Sequence, residues 1–306
     1  MRVGVSLRSS YGTEPRTGAR WMIERAAAAN RAGLDSLFVG DHHSTGPGAY
    51  YQNVPVLGRL LAEWGDRTAG ALFLLPLWHP VLVAEQIGTL AALAPGRFVM
   101  QTAIGGGAPQ FGAMGVPLSG RTARFEVALD AVRRLLAGEE VSDADGASGY
   151  RFERARVAPV TPEPLEVWIG ATAHAGIDRA ARLGDAWMAP PEVLASEARE
   201  LAAHYLERCA DHGRPPRAVV VRREMHVGAT PEDARAVAEP VIAAGYRGFR
   251  PEAFVVGGVE QVADELRALA GAGYTDVLVR QLAADQRDAV ESIERLAEVA
   301  ALVADA

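Results

Sequence analysis

The sequence predicts an α/β fold, a (β/α)8 TIM barrel with insertions at the C-terminal face. Three observations carry that prediction. Short β-branched or apolar runs alternate with longer segments of helical period along the chain. Eight such short runs can be counted, the number that closes a parallel barrel. Glycine recurs where a helix must stop before the next run. A barrel of this kind accommodates 306 residues as one domain, spanning 1–306 with a small insertion at 141–164.

Taken in order, the first strand is Val3 to Leu7, followed by a helix over Thr17 to Ala32. The second pair is Asp35 to Asp41 and Val54 to Trp64; the third is Ala69 to Pro76 and His79 to Leu93. Arg97 to Ile104 then leads to Arg121 to Ala137, and Leu165 to Ala171 to Ala175 to Leu183. Ala186 to Ala189 precedes Val193 to Asp211. Val219 to Val227 is followed by Pro231 to Ala244 and Val259 to Ala270, and Asp276 to Arg280 is the eighth strand. Gly33, Gly138, Gly184, Gly213 and Gly273 stand where a left-handed C-cap is wanted. Ala32-Gly33-Leu34-Asp35 and Ala272-Gly273-Tyr274-Thr275-Asp276 read as one helix-to-strand corner used twice.

Two stretches break the rhythm and read as insertions at the catalytic end. Residues 141–164 alternate polar and apolar around Asp143-Ala144-Asp145-Gly146, the pattern of a small hairpin or lid. In 246–258, Phe254-Val255-Val256 forms a further short strand.

A net charge of −7 argues against a polyanionic partner, since nucleic-acid affinity rests on Lys and Arg neutralising phosphates. Arg222-Arg223 and Arg133-Arg134 read as solvated strand or helix ends. The single cysteine, Cys209, forms no internal disulfide, which points to a reducing compartment. No basic segment followed by an apolar stretch opens the chain, and no apolar run reaches about 18 residues, so the expected location is the cytoplasm.

Chemistry in such a barrel sits at the C-terminal ends of the strands. The second strand ends in Asp41-His42-His43, two imidazoles beside a carboxylate, and imidazole exchanges protons near pH 7. Asp41 can equally cap the strand end and hold one histidine in place. A shared metal is disfavoured because successive strand residues face opposite ways. His79, before Pro80, reads as a helix-entry residue. Gly105-Gly106-Gly107 after the fourth strand leaves room for a flat ligand or is merely a flexible loop. Thr172-Ala173-His174-Ala175-Gly176 turns from strand into helix and aims backbone N–H groups at an anion.

These residues resemble the luciferase-like superfamily of flavin-dependent barrel enzymes. The resemblance is carried by Ala32 to His43, by Leu75-Pro76-Leu77-Trp78-His79-Pro80 with Ala84-Glu85, Thr89-Leu90 and Gly96-Arg97-Phe98, and by Val167-Trp168-Ile169-Gly170 with Ala180 to Asp185. It implies a flavin whose phosphate lies at Thr172, Ala173 and Gly176 and whose ring lies against the third and fourth strands, faced by Ala103 and Gly105. It implies a non-prolyl cis peptide at Ala71-Leu72 behind that ring, and a role for His42 as the family's active-site histidine. Asp41, His42 and His43 are thus the catalytic candidates. Ile104 stands where bacterial luciferase has an arginine that reaches the flavin phosphate, so light emission is not implied. Asp41, where luciferase has glutamate, leaves both FMN and the deazaflavin coenzyme F-420 open.

The leading expectation is a two-component monooxygenase that receives reduced FMN from a separate flavin reductase and oxidises a small organic substrate with oxygen. The chain offers no Gly-x-Gly-x-x-Gly turn after a strand for a nicotinamide cofactor. The Asp-His-His run and the Asn53 segment lean the same way. The alternatives are a coenzyme F-420-dependent dehydrogenase and a non-catalytic accessory barrel. The family and the apolar helices 54–64 and 79–93 suggest a homodimer.

Overall fold

The alternation of short apolar runs and helical segments is realised in the computed structural model, which describes residues 1–304 except 47, 145, 147 and 148. In chain order the elements are β1 (Arg2–Leu7), α1 (Pro15–Arg31), β2 (Ser36–Val39), α2 (Asn53–Leu60), β3 (Thr68–Phe73), α3 (Pro80–Leu93) and β4 (Phe98–Thr102). Next come α4 (Ala108–Ala113), α5 (Arg121–Leu136), the pair β5 (Val141–Asp143) and β6 (Phe152–Ala155), then β7 (Glu166–Gly170) and α6 (His174–Leu183). The last third holds β8 (Ala186–Ala189), α7 (Ala195–Asp211), β9 (Ala218–Val227), α8 (Pro231–Ala243), β10 (Val255–Gly257), α9 (Val259–Gly271), β11 (Asp276–Gln281) and α10 (Gln286–Val303). The hydrogen-bonded order is β10-β9-β11-β1-β2-β3-β4-β7-β8, and β8 pairs again with β9. Leaving out β10, eight strands thus close in a ring of pairings, the order of a (β/α)8 barrel.

The chain forms two compact units, 1–38 with 168–306, and 39–167. In the first, β1 lies parallel to β11 with Arg2 opposite Asp276 and Val5 opposite Val279. Arg2 forks onto the Asp276 carboxylate with two contacts of 2.7 Å. The two corners foreseen as one are one: Leu34 N donates to Ala29 O and Tyr274 N to Leu269 O, each at 3.2 Å, around left-handed Gly33 and Gly273. Gly184 differs. Its φ of −89° is ordinary, and glycine is needed there because a Cβ would lie 2.8 Å from Ala180 O and 3.0 Å from Ala186 O.

In the second unit β3 lies parallel to β4. The hairpin foreseen in 141–164 is present as antiparallel β5 and β6; its Asp145 lies outside the described residues. This hairpin leaves from the C-terminal end of α5, yet it climbs back to the strand-end side. Tyr150 shows this, donating its hydroxyl to Leu75 O at 3.0 Å just beyond β3.

Other expectations are corrected. The peptide at Ala71–Leu72 is trans, and the only cis bond among the described residues is Ala158–Pro159; β3 keeps regular register with β4 through Ala71 and Leu72. Pro76 falls in a short 3-10 turn, Leu75–Leu77, instead of closing a strand, since proline cannot donate to the ladder. Helix α10 follows β11 and was not foreseen, because the two helices after β9, α8 and α9, had filled the count of eight. No described helix is long and apolar enough to cross a membrane.

Candidate active site

In the 39–167 unit, the chain leaves β2 at Val39 and at once places Asp41 in the interior. Its side chain is fully buried, and Oδ2 accepts from Leu74 N and from Trp78 Nε1, both at 2.8 Å. Two donors on one buried oxygen satisfy groups that would otherwise be costly to desolvate. Asp41 Oδ1 stands 3.2 Å from His43 Nε2, close enough to pair but not aligned for a hydrogen bond. His43 is further fixed by its backbone N–H on Gln110 Oε1 at 2.8 Å and by its ring against Trp78, 5.3 Å between centroids. The imidazole that Asp41 holds is therefore that of His43.

His42 points the other way, as alternation along an extended chain requires. It is exposed, with its ring 5.8 Å from that of Tyr50, and its carbonyl accepts from Gln52 Nε2 at 3.2 Å. Buried Asn53 donates Nδ2 to Leu72 O at 2.6 Å and so ties the start of α2 to β3. Of the proposed ring-facing pair on β3, Ala71 is fully buried and Leu72 half-buried. Leu72, Trp78, Ala103, Val116 and Leu118 form a partly exposed apolar wall over Leu74, Leu77 and Phe111. Beside it Gly105 takes φ +67°, and a Cβ at Gly106 or Gly107 would meet nothing within 4 Å. A flat ring fits such a wall and open shelf.

His79 is the residue before α3, as foreseen. Its ring lies 6.0 Å from Tyr150 and 5.5 Å from Phe152. Burial, then the nearby Arg124 charge, hold its pKa below the usual histidine value. Burial pushes Tyr150 up to about 12, and Arg124 lies 3.6 Å over the Tyr150 ring.

In the other unit, Thr172 and Ala173 are exposed at the end of β7 and α6 starts at His174. No side chain caps this helix, so its first N–H groups remain available to an anion. Gly176 is required: a Cβ there would come 2.9 Å from the Ala171 Cβ, so only glycine lets the first turn sit so close to the strand end. Trp187 Nε1 donates to Ala171 O at 2.9 Å and steadies that end. The His174 and His204 rings lie 4.5 Å apart, and His204 Nε2 is 2.9 Å from Asp178 Oδ1. The uncapped turn with its close-packed glycine fits a phosphate.

Arg222 and Arg223 are not solvated strand ends. They lie mid-strand in β9, with the Arg222 side chain 15% exposed and Arg223 buried. Arg222 Nη2 meets Glu224 Oε1 at 3.0 Å, and Arg247 Nη1 lies 3.5 Å from the same oxygen. Arg280 donates from Nη2 to Ser6 Oγ at 2.8 Å. Sequence reading missed this cluster; the available signal was Arg-x-Glu inside an apolar strand, where alternation puts both side chains on one face. Trp78 and Gln110, which fix Asp41 and His43, were missed because they act from 37 and 67 residues away.

A coenzyme F-420-dependent glucose-6-phosphate dehydrogenase of Beutenbergia cavernae is 30% identical over 236 residues, 71% of this chain and 67% of that protein. The enzyme of the same name from Intrasporangium calvum is 29% identical over 212 residues, and the match spans 64% of this chain and 60% of the relative's length. A 4-hydroxyprotoasukamycin monooxygenase of Streptomyces nodosus subsp. asukaensis is 28% identical over 63% of this chain and 54% of its own. A monooxygenase structure from Streptomyces bottropensis superposes with a TM-score of 0.84 at 19% identity, over 97% of this chain and 98% of that one, which supports the barrel fold. Residues 1–253 match the family model described as luciferase-like monooxygenase. With that match over most of its length and strand ends built as above, the chain belongs to the luciferase-like monooxygenase family, an oxidoreductase class of (β/α)8-barrel enzymes.

Proposed function

We propose that the protein is a dehydrogenase or reductase that exchanges hydride between a small organic substrate and a deazaflavin of the coenzyme F-420 type. The observation that carries this reading is the division of labour at the end of β2. Asp41 and His43 are locked into the interior by Leu74, Trp78 and Gln110, whereas the neighbouring His42 imidazole is exposed. His42 is thus the group placed to hold or move a proton at a substrate hydroxyl or carbonyl oxygen. Deazaflavin over FMN is supported by the names of the relatives from Beutenbergia and Intrasporangium. When bound, the deazaflavin supplies a two-electron hydride acceptor or donor. Within the unit of 1–38 and 168–306 the turn with Thr172, Ala173 and Gly176 suits a phosphate, and within the 39–167 unit Leu72, Ala103 and Gly105 suit a flat ring.

The second reading, a reduced-FMN monooxygenase fed by a separate reductase, is favoured by the Streptomyces monooxygenase relative and by the family description. Anaerobic titration with F-420 and with FMN, each oxidised and reduced, separates the two. We expect oxidised F-420 to bind and turnover to proceed without oxygen. Preferential binding of reduced FMN with oxygen-dependent turnover would replace this reading by the second. Binding of no flavin would make the protein an accessory barrel. In His42→Ala, cofactor binding should persist while turnover falls by roughly 10²-fold or more. Unchanged turnover would remove His42 from the chemistry.

A further inference from the structure

Within the 1–38 and 168–306 unit, strand register gathers positive charge at one place. Arg280 of β11 stands level with Glu224 of β9, and Leu278 level with Arg222. Arg222 and Glu224 share a face of β9, two residues apart. Arg222 and Arg247 both turn to Glu224 Oε1, while Arg280 leans on Ser6, through Nη2 on Oγ and Nε on the carbonyl at 3.3 Å. Two guanidiniums therefore meet one carboxylate, and the charge of a third, Arg280, acts on Arg222.

This arrangement is not a balanced ion pair. The Glu224 side chain is 0% exposed, and neither its Oε2 nor Arg222 Nε has a hydrogen-bond partner. Burial, with the charges of Arg280 and Arg247, pushes the Arg222 guanidinium down to about 9. A buried site with excess like charge and an unused guanidinium donor is costly to keep unless something of opposite charge visits it. Arg247 adds a second observation. It sits at φ +52°, a left-handed conformation unusual for a non-glycine residue, with its guanidinium 5.2 Å from the Phe249 ring centroid while it reaches Glu224.

We infer that Arg222, Arg247 and Arg280 form the seat for an anionic group of the substrate, a carboxylate or a phosphate monoester, with Glu224 holding the Arg222 and Arg247 guanidiniums and Ser6 that of Arg280. Guanidinium forks match both groups through paired N–H donors. The inference names a substrate class for the oxidoreductase proposed above, and so rests on that reading for the reaction but not for the binding.

The test is calorimetric titration of the full chain with phenyl phosphate, benzoate and uncharged benzyl alcohol, on wild type, Arg247→Gln and Arg280→Lys, beside F-420 titrations of the same proteins. Arg247 is 48% exposed and Arg280→Lys keeps its charge, so both variants should fold. We expect at least one of the two anions to bind wild type while benzyl alcohol does not, with affinity about tenfold weaker in Arg247→Gln. Which anion binds more tightly separates phosphate from carboxylate. Equal binding of all three probes, no binding of either anion, or variants that match wild type would overturn the inference. So would variants that lose F-420 binding and keep the anion, because the arginines would then serve the cofactor. Anion binding through these arginines in a protein that takes no F-420 would sustain this inference while the cofactor reading fails.

Discussion

Asp41 gathers a backbone N–H, an indole N–H and an imidazole around one buried carboxylate. Asp41→Ala would leave the Leu74 and Trp78 donors buried without partners, a loss of about 3 kcal/mol. Urea unfolding should show it as a lower midpoint at unchanged slope. A buried histidine, His226, and a half-buried one, His79, set a pH dependence. His79 and His226 are both held below the ordinary histidine value, first by burial. The unfolded chain therefore takes up their protons first as pH falls through about 6.5, so stability is complete above that value and declines toward the folded-state pKa values. His79→Gln combined with His226→Gln should flatten the fall in urea midpoint between pH 7.5 and pH 5; an unchanged fall would assign it to carboxylates. At this scale the sequence singled out Asp41-His42-His43 as the candidate cluster. It could not show which imidazole the carboxylate holds, because that depends on the turn after Val39 and on Trp78. Arg222 was misread for a related reason: a charged pair in a sequence carries no label saying which face of a strand it occupies.

At the scale of elements, Gly88 sits within α3, where glycine costs about 1 kcal/mol relative to alanine. It is kept because a Cβ there would fall 2.0 Å from the Pro159 carbonyl oxygen. Gly88→Ala should therefore lower stability by about 2 kcal/mol despite its better helix propensity, through overpacking of α3 against the segment that returns from the hairpin. A rise in Tm would show that the segment yields. The hairpin itself was legible from alternation, and β10 from Phe254-Val255-Val256. The destination of the hairpin was not, since it is set by Tyr150 finding a carbonyl 75 residues away. Helix α4 lay within a glycine-rich stretch and is too short to show a helical period of its own.

For the whole molecule, the order of strands was readable because each short run needs a helix to bring the chain back parallel. What escaped was α10, although its apolar residues Ile293, Leu296, Val299 and Val303 recur at helical spacing and are fully buried. Their burial is worth about 8 kcal/mol together, comparable with the net stability of a domain. A chain ending before Gln286 should lose near-UV circular dichroism and bind the dye ANS. Retention of a sharp thermal transition would show α10 to be dispensable.

The pairing of β1 with β11 also governs synthesis. A ribosome that has just made Val3 and Val5 must add some 274 residues before the partner of Arg2 is in reach. At about 5–20 residues per second that delay lasts roughly 14–55 s. Throughout it, one edge of β1 has no mate, and of the helices that pack on it only α1 is made. The nascent chain is therefore a client for chaperones that shield extended apolar segments, and slowing elongation late in the message should cost more soluble protein than slowing it early.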